Sequence, residues 1–272
     1  VVFFHSKYVF WVGGTIYSKE IGLHGIGGYL LFSADMLSSC GKECVIVFFI
    51  LSAFVIRHSF SSHHYQWVNF YKIRLIRIYW PFLLSMIFSI LVLFICVNYI
   101  NPDIYTREIR EYNFRLSDAY DGFSFGQVLK TIFFIDNGEY AGFNYAYWSL
   151  GHELLFYLLF PLYNMLTRYA RFAAAAGLAV LFLLTGWSVF YYQVFFVAGL
   201  ILYDYFSNFS AAPVIKYKTL YLIILAGFYV AVNLSIRMIS EKASDMVTLV
   251  FSFFIFDYVL WFVQRKNTLL MK

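Results

Sequence analysis

Long apolar runs separated by short charged stretches dominate the sequence and limit the folds open to it. A helix of about 20 apolar residues crosses the hydrocarbon core of a bilayer. With 62% hydrophobic and 13% charged residues, a water-soluble domain would carry more apolar surface than its interior can bury. The sequence therefore predicts an all-α fold, a polytopic transmembrane helical bundle of one domain over residues 1–272. About eight spans are predicted, near residues 1–17, 44–60, 78–100, 147–166, 172–189, 191–206, 219–236 and 246–263.

The basic residues alternate between the loops that join these runs. Eleven Lys and Arg, and no Asp or Glu, fall in residues 57–77, 167–171, 213–218 and 264–272. The remaining loops are acidic or neutral, namely residues 18–43, 101–146 and 237–245. Because cytoplasmic loops are enriched in Lys and Arg, the pattern predicts a cytoplasmic start for the first helix. It also predicts that the helix containing Trp148 is entered from the outer side, and that residues 101–146 are the longest extramembrane segment. The net charge of +5 forms no continuous basic tract, so no nucleic-acid partner is predicted.

Ionisable residues inside the apolar runs mark the candidate functional positions. Glu153 lies in the run from Tyr147 to Leu162, where burying an unpaired charge costs at least a few kcal/mol. It is therefore expected to have a partner or a chemical task. His5 lies in the first run and is either a general base that faces a cavity or a structural histidine bonded to a neighbouring helix. Asp257 lies inside the last run, whereas Asp204 lies near a cytoplasmic end and is interpreted as interfacial.

Arg74 and Arg77 lie three residues apart, which places them on one face of a helix at the cytoplasmic mouth of the third span. Two guanidinium groups so placed can bind phosphates, or can anchor the helix at the membrane surface. Ser52 and Ala53 are small residues that allow close helix packing. The three cysteines have no metal-ligand or redox spacing, and no metal site is predicted. A histidine and a glutamate in the membrane beside an arginine pair fit a transferase and equally a proton-coupled transporter, and spacing does not decide between them.

Four stretches, taken in order, resemble the acyltransferase-3 family of integral membrane acyltransferases. They are Val1 to Ser6 with His5; Phe48 to Phe54 with Ser52; Phe70 to Pro81 with Arg74 and Arg77; and Trp148, Ser149, Leu150 with Glu153, Phe156, Tyr157 and Pro161. A further segment, Phe195 to Gly199, looks like a later family segment. The sequence departs from the family pattern at Cys44 and Ala53, where glycine is common, and at His152. The family has more spans than are visible, so the domain is expected to be incomplete at the N-terminus and at the C-terminus.

The resemblance implies an O-acyltransferase that carries an acetyl group from acetyl-CoA to a hydroxyl of a cell-surface or lipid-linked glycan. His5 would be catalytic with Glu153, Arg74 and Arg77 would bind the donor, and the supporting motif residues would be Ser52, Trp148, Ser149 and Tyr157. No bound cofactor is implied, because acetyl-CoA is a substrate. The expected partners are membrane lipid, acyl-CoA and the glycan acceptor, in the cytoplasmic (inner) membrane of a bacterium. The alternative is a polytopic transporter of lipid-linked glycan or another solute, with His5 and Glu153 as a proton relay.

Overall fold

A computed structural model describes residues 26–30, 40–63, 67–100, 108–109, 114–115, 124–135, 141, 146–208, 217–238 and 240–270. Nearly all of these residues are helical. The helices are α1 Gly41–His63, α2 Trp67–Ile95, α3 Phe125–Ile132, α4 Tyr147–Met165, α5 Arg168–Thr185, α6 Ser188–Asn208, α7 Lys218–Met238 and α8 Glu241–Leu270. A π-helical turn, Cys96–Ile100, continues α2. A two-residue antiparallel pair joins β1 Glu108–Ile109 and β2 Phe114–Arg115. The predicted helical membrane bundle is confirmed.

Seven of the eight predicted spans coincide with helices, and the first, near residues 1–17 and including His5, lies outside the described residues. Within the described part of the chain, four helices are long and apolar enough to cross a membrane by themselves, namely Gly41–Ser61, Trp67–Tyr99, Arg168–Thr185 and Ser188–Phe206. A shorter apolar helix covers Thr219–Val232. The 19-residue α4 is more polar, because its apolar run includes His152, Glu153 and Asn164.

Local sequence explains several helix ends. The side-chain oxygen of Thr167 accepts a hydrogen bond from the backbone N–H of Ala170 and so caps the start of α5. The helix ends at Gly186, whose φ of 72° is a left-handed conformation that glycine adopts without steric cost. In contrast, α2 begins at Trp67, well before the predicted edge of the third span at residue 78, and Pro81 lies inside the helix. The apolar run marks the membrane-embedded part of this helix rather than its first residue.

The chain divides into two compact units. The split unit comprises residues 1–58 and 167–272, and the central unit comprises residues 59–166. In the split unit, α5 pairs with α6 and α7 pairs with α8. Helix α1 packs on α6, where the Phe49 and Phe196 rings stack at a centroid distance of 4.5 Å, and on α8, where Phe54 meets Phe256 at 4.8 Å.

Side-chain contacts show that α1, α6 and α8 of the split unit run in the same direction. The first residues of α1, α6 and α8 meet at one end, where Lys42, Tyr191 and Asp245 are in contact. The end of α1 meets the end of α6 at the opposite side, where Arg57 lies over the ring of Tyr203. This is the arrangement that the alternating loop charges require. That the Arg57 end faces the cytoplasm stays a prediction.

In the central unit, α2 and α4 run antiparallel and enclose a small apolar core. Buried Phe82, Met86, Ala141 and Tyr147 form its centre. The Tyr147 hydroxyl donates to Ser85 Oγ at 3.1 Å, which ties the first residue of α4 to the middle of α2. The last turns of α4 therefore lie beside the first turns of α2, and this brings the predicted site residues of the two helices together.

Candidate active site

The buried face of α4 carries the intramembrane carboxylate and a row of aromatic residues. Glu153, Phe156, Tyr157, Phe160 and Tyr163 recur every three or four residues and are all buried. Glu153 and Tyr157 lie one turn apart on this face, and the tyrosine hydroxyl donates a hydrogen bond to Glu153 Oε1. The carboxylate, only 6% exposed, therefore has the partner that its position in an apolar run requires.

Arg74 of α2 completes a three-residue polar group with this pair. Its guanidinium lies 5.7 Å from the ring centroid of Tyr157 and 5.8 Å from that of Phe70. Both distances fall within the range of cation–π attraction, which is strongest where water is excluded. Arg74 is 8% exposed, so burial of this cation is offset partly by the two aromatic faces. We call Arg74, Tyr157 and Glu153 the buried triad.

Aromatic packing around the triad fixes the register between α2 and α4. The rings of Phe70 and Phe160 stack at 5.0 Å, one turn from the triad on each helix. The Tyr71 hydroxyl donates to the carbonyl oxygen of Leu158 at 3.3 Å. These contacts fix the backbone of Arg74 at the level of Tyr157.

Arg77 does not share the environment of Arg74. Arg77 is exposed on α2, whereas Arg74 is buried, so the two arginines do not lie on one common face as predicted. Positions three apart on a helix differ by about 60° in direction, and the boundary between the buried and exposed faces falls between these two. This exposed face of α2 also carries Ile73, Ile76 and Trp80, so Arg77 lies on an apolar surface that points away from the protein. The guanidinium is accessible to an anionic ligand or lipid headgroup without the removal of packed side chains.

The other predicted site residues have separate positions. Ser149 donates its hydroxyl to the Ala146 carbonyl at 2.9 Å and so stabilises the start of α4. Trp148 packs against the core of the central unit, and its ring meets His152 edge to face at 5.9 Å. Ser52 lies half-buried on α1 in the split unit, and His5 lies outside the described residues.

Close packing explains the small residues of α1. The neighbouring residue Ala53 is fully buried against Gly199 of α6. A Cβ atom at position 199 would lie 2.8 Å from the Ala53 Cβ and 3.0 Å from the Ile50 carbonyl carbon, so only glycine allows this approach. The predicted packing role of the small residues on α1 agrees with this contact.

The sequence did not predict two groups of interacting charged residues in the split unit. At the predicted outer end, Lys42 Nζ lies 3.1 Å from Asp245 Oδ2, which also accepts from Tyr191. The Ser244 hydroxyl donates to Glu43 at 2.6 Å beside them.

At the opposite end of the split unit, buried Arg171 and Asp204 form an ion pair. Asp204 is therefore a buried ion-pair partner rather than an interfacial residue. Asp257 accepts a hydrogen bond from the hydroxyl of Tyr221.

Within the described parts of the chain, no three His, Cys, Asp or Glu side chains converge as they would around a metal ion. The cysteines at positions 40, 44 and 96 form no disulfide. The chemical groups that the described site offers are thus a buried carboxylate, a phenol, a buried guanidinium and a second, exposed guanidinium.

A family model described as an acyltransferase domain matches residues 1–268. The chain belongs to the acyltransferase-3 family. The match covers both compact units, including the first apolar run with His5. Comparisons with curated proteins and with solved structures gave no match. Family membership and the apolar helices make the protein an acyltransferase embedded in a membrane, and the buried triad lies in two of the stretches that carry the family resemblance. Membership in an acyltransferase family favours the transferase interpretation over the transporter alternative.

Proposed function

We propose that this acyltransferase transfers an acetyl group from acetyl-CoA to a hydroxyl of a cell-surface or lipid-linked glycan. The observation that supports it best is the buried triad, which connects a donor-side arginine to the motif carboxylate through one tyrosine. Arg74 lies near the start of α2, at the predicted cytoplasmic mouth where acetyl-CoA is available. Glu153 lies one turn deeper along α4, on the path from that mouth toward the membrane interior.

The two arginines have different tasks in this proposal. Arg77 is exposed and basic, so it meets the phosphates of the donor directly. Arg74 is held under the site by two aromatic rings and supplies a fixed positive charge close to Tyr157. A preorganised charge of this kind stabilises negative charge that develops on the donor during transfer, without reorganisation at that moment.

The chemical step is a direct acyl transfer with His5 as general base. The imidazole takes the proton of the acceptor hydroxyl while the hydroxyl oxygen attacks the thioester carbonyl carbon. The carbon–sulfur bond then breaks, the coenzyme leaves as a thiolate, and the imidazolium returns the proton to its sulfur. We assign to Glu153 the stabilisation of the protonated base, as a carboxylate provides in other general-base pairs. The Tyr157 hydroxyl fixes one oxygen of that carboxylate.

The test uses cells that lack the complete gene and are complemented with wild type, His5→Ala or Lys72→Ala. Lys72 is an exposed cation on α2, two residues before Arg74, and is the matched control. Mass spectrometry of the surface and lipid-linked glycans measures the acetyl ester that each variant restores. We expect wild type and Lys72→Ala to restore it and His5→Ala to lose it, at equal amounts of protein in the membrane.

A companion measurement with purified protein in lipid nanodiscs separates the donor from the acceptor. Radiolabelled acetyl-CoA is added, and release of free coenzyme is followed with and without a glycan extract. Acetyl-CoA turnover that depends on the extract supports the proposal. Turnover with another acyl-CoA but none with acetyl-CoA would overturn the choice of donor, and restored acetylation by His5→Ala would overturn the choice of base.

A further inference from the structure

We propose that residues 124–135 form a re-entrant helix and turn that lie at membrane depth beside α2. In this arrangement the side of α3 that points away from the protein faces lipid acyl chains. The sequence alone favours a water-exposed position, because these residues belong to the loop 101–146 that joins two spans. The proposal rests on depth, on hydrogen bonding and on the apolar character of α3, and it is independent of the reaction that the protein catalyses.

The depth follows from the distribution of charge along α2. No charged residue occurs between Arg77 and Asp103. The 25 residues between them would extend over roughly 37 Å as a helix, slightly more than the roughly 30 Å of a hydrocarbon core. This part of α2, together with its π-helical turn, must therefore occupy the bilayer, and any segment packed against it lies at the same depth.

The end of α3 packs against the first half of this charge-free stretch. The Tyr79 hydroxyl donates to the carbonyl oxygen of Ile132 at 3.3 Å. The ring of Phe134 lies 4.8 Å from that of Phe82. Val128 and Ile132 pack on the core that Phe82 forms with its neighbours. Residues 128–134 are thus beside α2 positions that lie only a few residues beyond Arg77, on the membrane side.

The last four carbonyl groups of α3 all have hydrogen-bond donors within the protein, as a position at membrane depth requires. A helix leaves its last four carbonyl groups without partners within the helix. In α3 the Leu129 carbonyl accepts from the N–H of Phe133, that of Lys130 from Ile135, and that of Thr131 from Phe134, at 3.0 to 3.1 Å. The fourth, that of Ile132, accepts from Tyr79. The buried Thr131 hydroxyl adds a bond from the Ala141 N–H at 2.9 Å, which holds the returning chain against α3.

The side of α3 that faces away from the protein is apolar. Phe125, Leu129 and Phe133 are spaced by four residues along one edge, and Phe125 is 78% exposed. Ile135, 70% exposed, extends this edge past the turn. An edge of this kind is unfavourable in water but is suited to acyl chains. Lys130 is the only charged residue in 124–135, and its long stem can carry the ammonium group to the headgroups at the level of Arg77.

The turn also contacts the motif of α4. Phe134 has a φ of 53°, an uncommon conformation for a bulky side chain, and it lies against Gly151. A Cβ atom at position 151 would lie 3.0 Å from the Cβ of Phe134, so a side chain there would push the turn away. Because Glu153 follows two residues later, the re-entrant turn covers the motif from the outer side and delimits the space through which an acceptor approaches it.

Spin labelling of single cysteines tests the proposal. The three native cysteines are first replaced by serine, and nitroxide labels are attached at Leu129→Cys and Phe133→Cys in nanodiscs. Leu91→Cys, on the exposed face of α2, is the lipid reference, and Tyr217→Cys, between two lysines before α7, is the aqueous reference. Collision rates with oxygen, which concentrates in acyl chains, are compared with those of a water-soluble nickel chelate.

We expect both α3 labels to collide more often with oxygen than with the chelate, as the label at position 91 does. Collision with the chelate at the frequency of position 217 would overturn the proposal and make α3 part of an aqueous cap. A depth at the phosphate level for both labels would also overturn it, and α3 would then be a surface helix. If Phe133→Cys does not yield a monodisperse protein, Phe125→Cys on the same edge replaces it in the comparison.

Discussion

Tyr157 donates its hydroxyl to Glu153 from one turn further along the buried face of α4. The same tyrosine presents its ring to the guanidinium of Arg74. One side chain thus contacts both the cation of α2 and the carboxylate of α4. A change at Tyr157 is expected to affect the orientation of Glu153 without removing either charge, and this makes the tyrosine a positioning residue that can be tested by itself.

Tyr157→Phe removes the hydroxyl but retains the ring that Arg74 contacts. Loss of one hydrogen bond to a buried carboxylate costs about 1–3 kcal/mol, and about 1.4 kcal/mol corresponds to a tenfold change in rate. We expect kcat for acyl transfer to fall roughly tenfold, with little change in KM for the acyl donor. Tyr71→Phe is the matched control, because it removes a hydroxyl between the same two helices, from the Leu158 carbonyl, outside the triad. Equal losses of kcat in both variants would show that the effect is general to the α2–α4 contact.

Arg74→Lys and Arg77→Lys separate the buried cation from the exposed one. Lysine retains the charge but loses the flat guanidinium, so it cannot lie over Phe70 and Tyr157 in the same way. We expect Arg74→Lys to lower kcat and the apparent melting temperature together. Arg77→Lys is expected to raise KM for the acyl donor several-fold and to leave the melting temperature unchanged, since its side chain is exposed. Steady-state kinetics and thermal unfolding in detergent measure both; a melting temperature that falls only in Arg77→Lys would contradict the assignment.

The helical fold was accessible from sequence because the apolar runs, of 16 to 23 residues, are close to the length of about 20 residues that a bilayer requires. The expectation of a buried partner for Glu153 was also correct, since a charge in an apolar run is costly anywhere in a membrane. The partner itself follows from spacing, because Tyr157 lies four residues away on the same helix face. The arginine pair shows the limit of the same argument: three-residue spacing indicates a shared direction but not where the buried face of α2 ends.

Contacts between distant parts of the chain could not be predicted in the same way. Lys42 and Asp245 are separated by 203 residues, and both lie in stretches whose charge alone suggests a loop. Their pairing depends on how α1 and α8 pack, which no local pattern encodes. Arg171 and Asp204 are a similar case, because an arginine near a cytoplasmic helix end is equally typical of ordinary membrane anchoring.

Gly199→Ala tests the close approach of α6 to α1. The added methyl group would overlap the Ile50 carbonyl oxygen and lie 2.8 Å from the Ala53 Cβ, and both belong to a packed helix interior that cannot shift without cost. Overpacking of this kind costs about 1–3 kcal/mol, so we expect the apparent melting temperature to fall by roughly 3–10 °C. Gly177→Ala on α5 is the control, since nothing lies within 4 Å of a Cβ there. It is expected to leave the melting temperature unchanged or slightly higher, because alanine favours helix formation. A larger loss at position 177 than at 199 would contradict the packing described for these helices.

Arg171 and Asp204 allow a test of whether the attraction within a buried ion pair exceeds the cost of removing its two charges from water. Removal of one partner of a buried ion pair costs about 3–5 kcal/mol, whereas replacement of both by apolar residues of similar volume is often neutral. We therefore expect Arg171→Met and Asp204→Leu each to lower the apparent melting temperature by roughly 6–10 °C. The double variant should recover most of that loss, so that the two single effects are strongly non-additive. Thermal unfolding of all four proteins in one detergent measures the cycle. If the double variant instead loses the sum of the two single effects, the residues act separately, and the ion pair is not what holds the start of α5 to the end of α6.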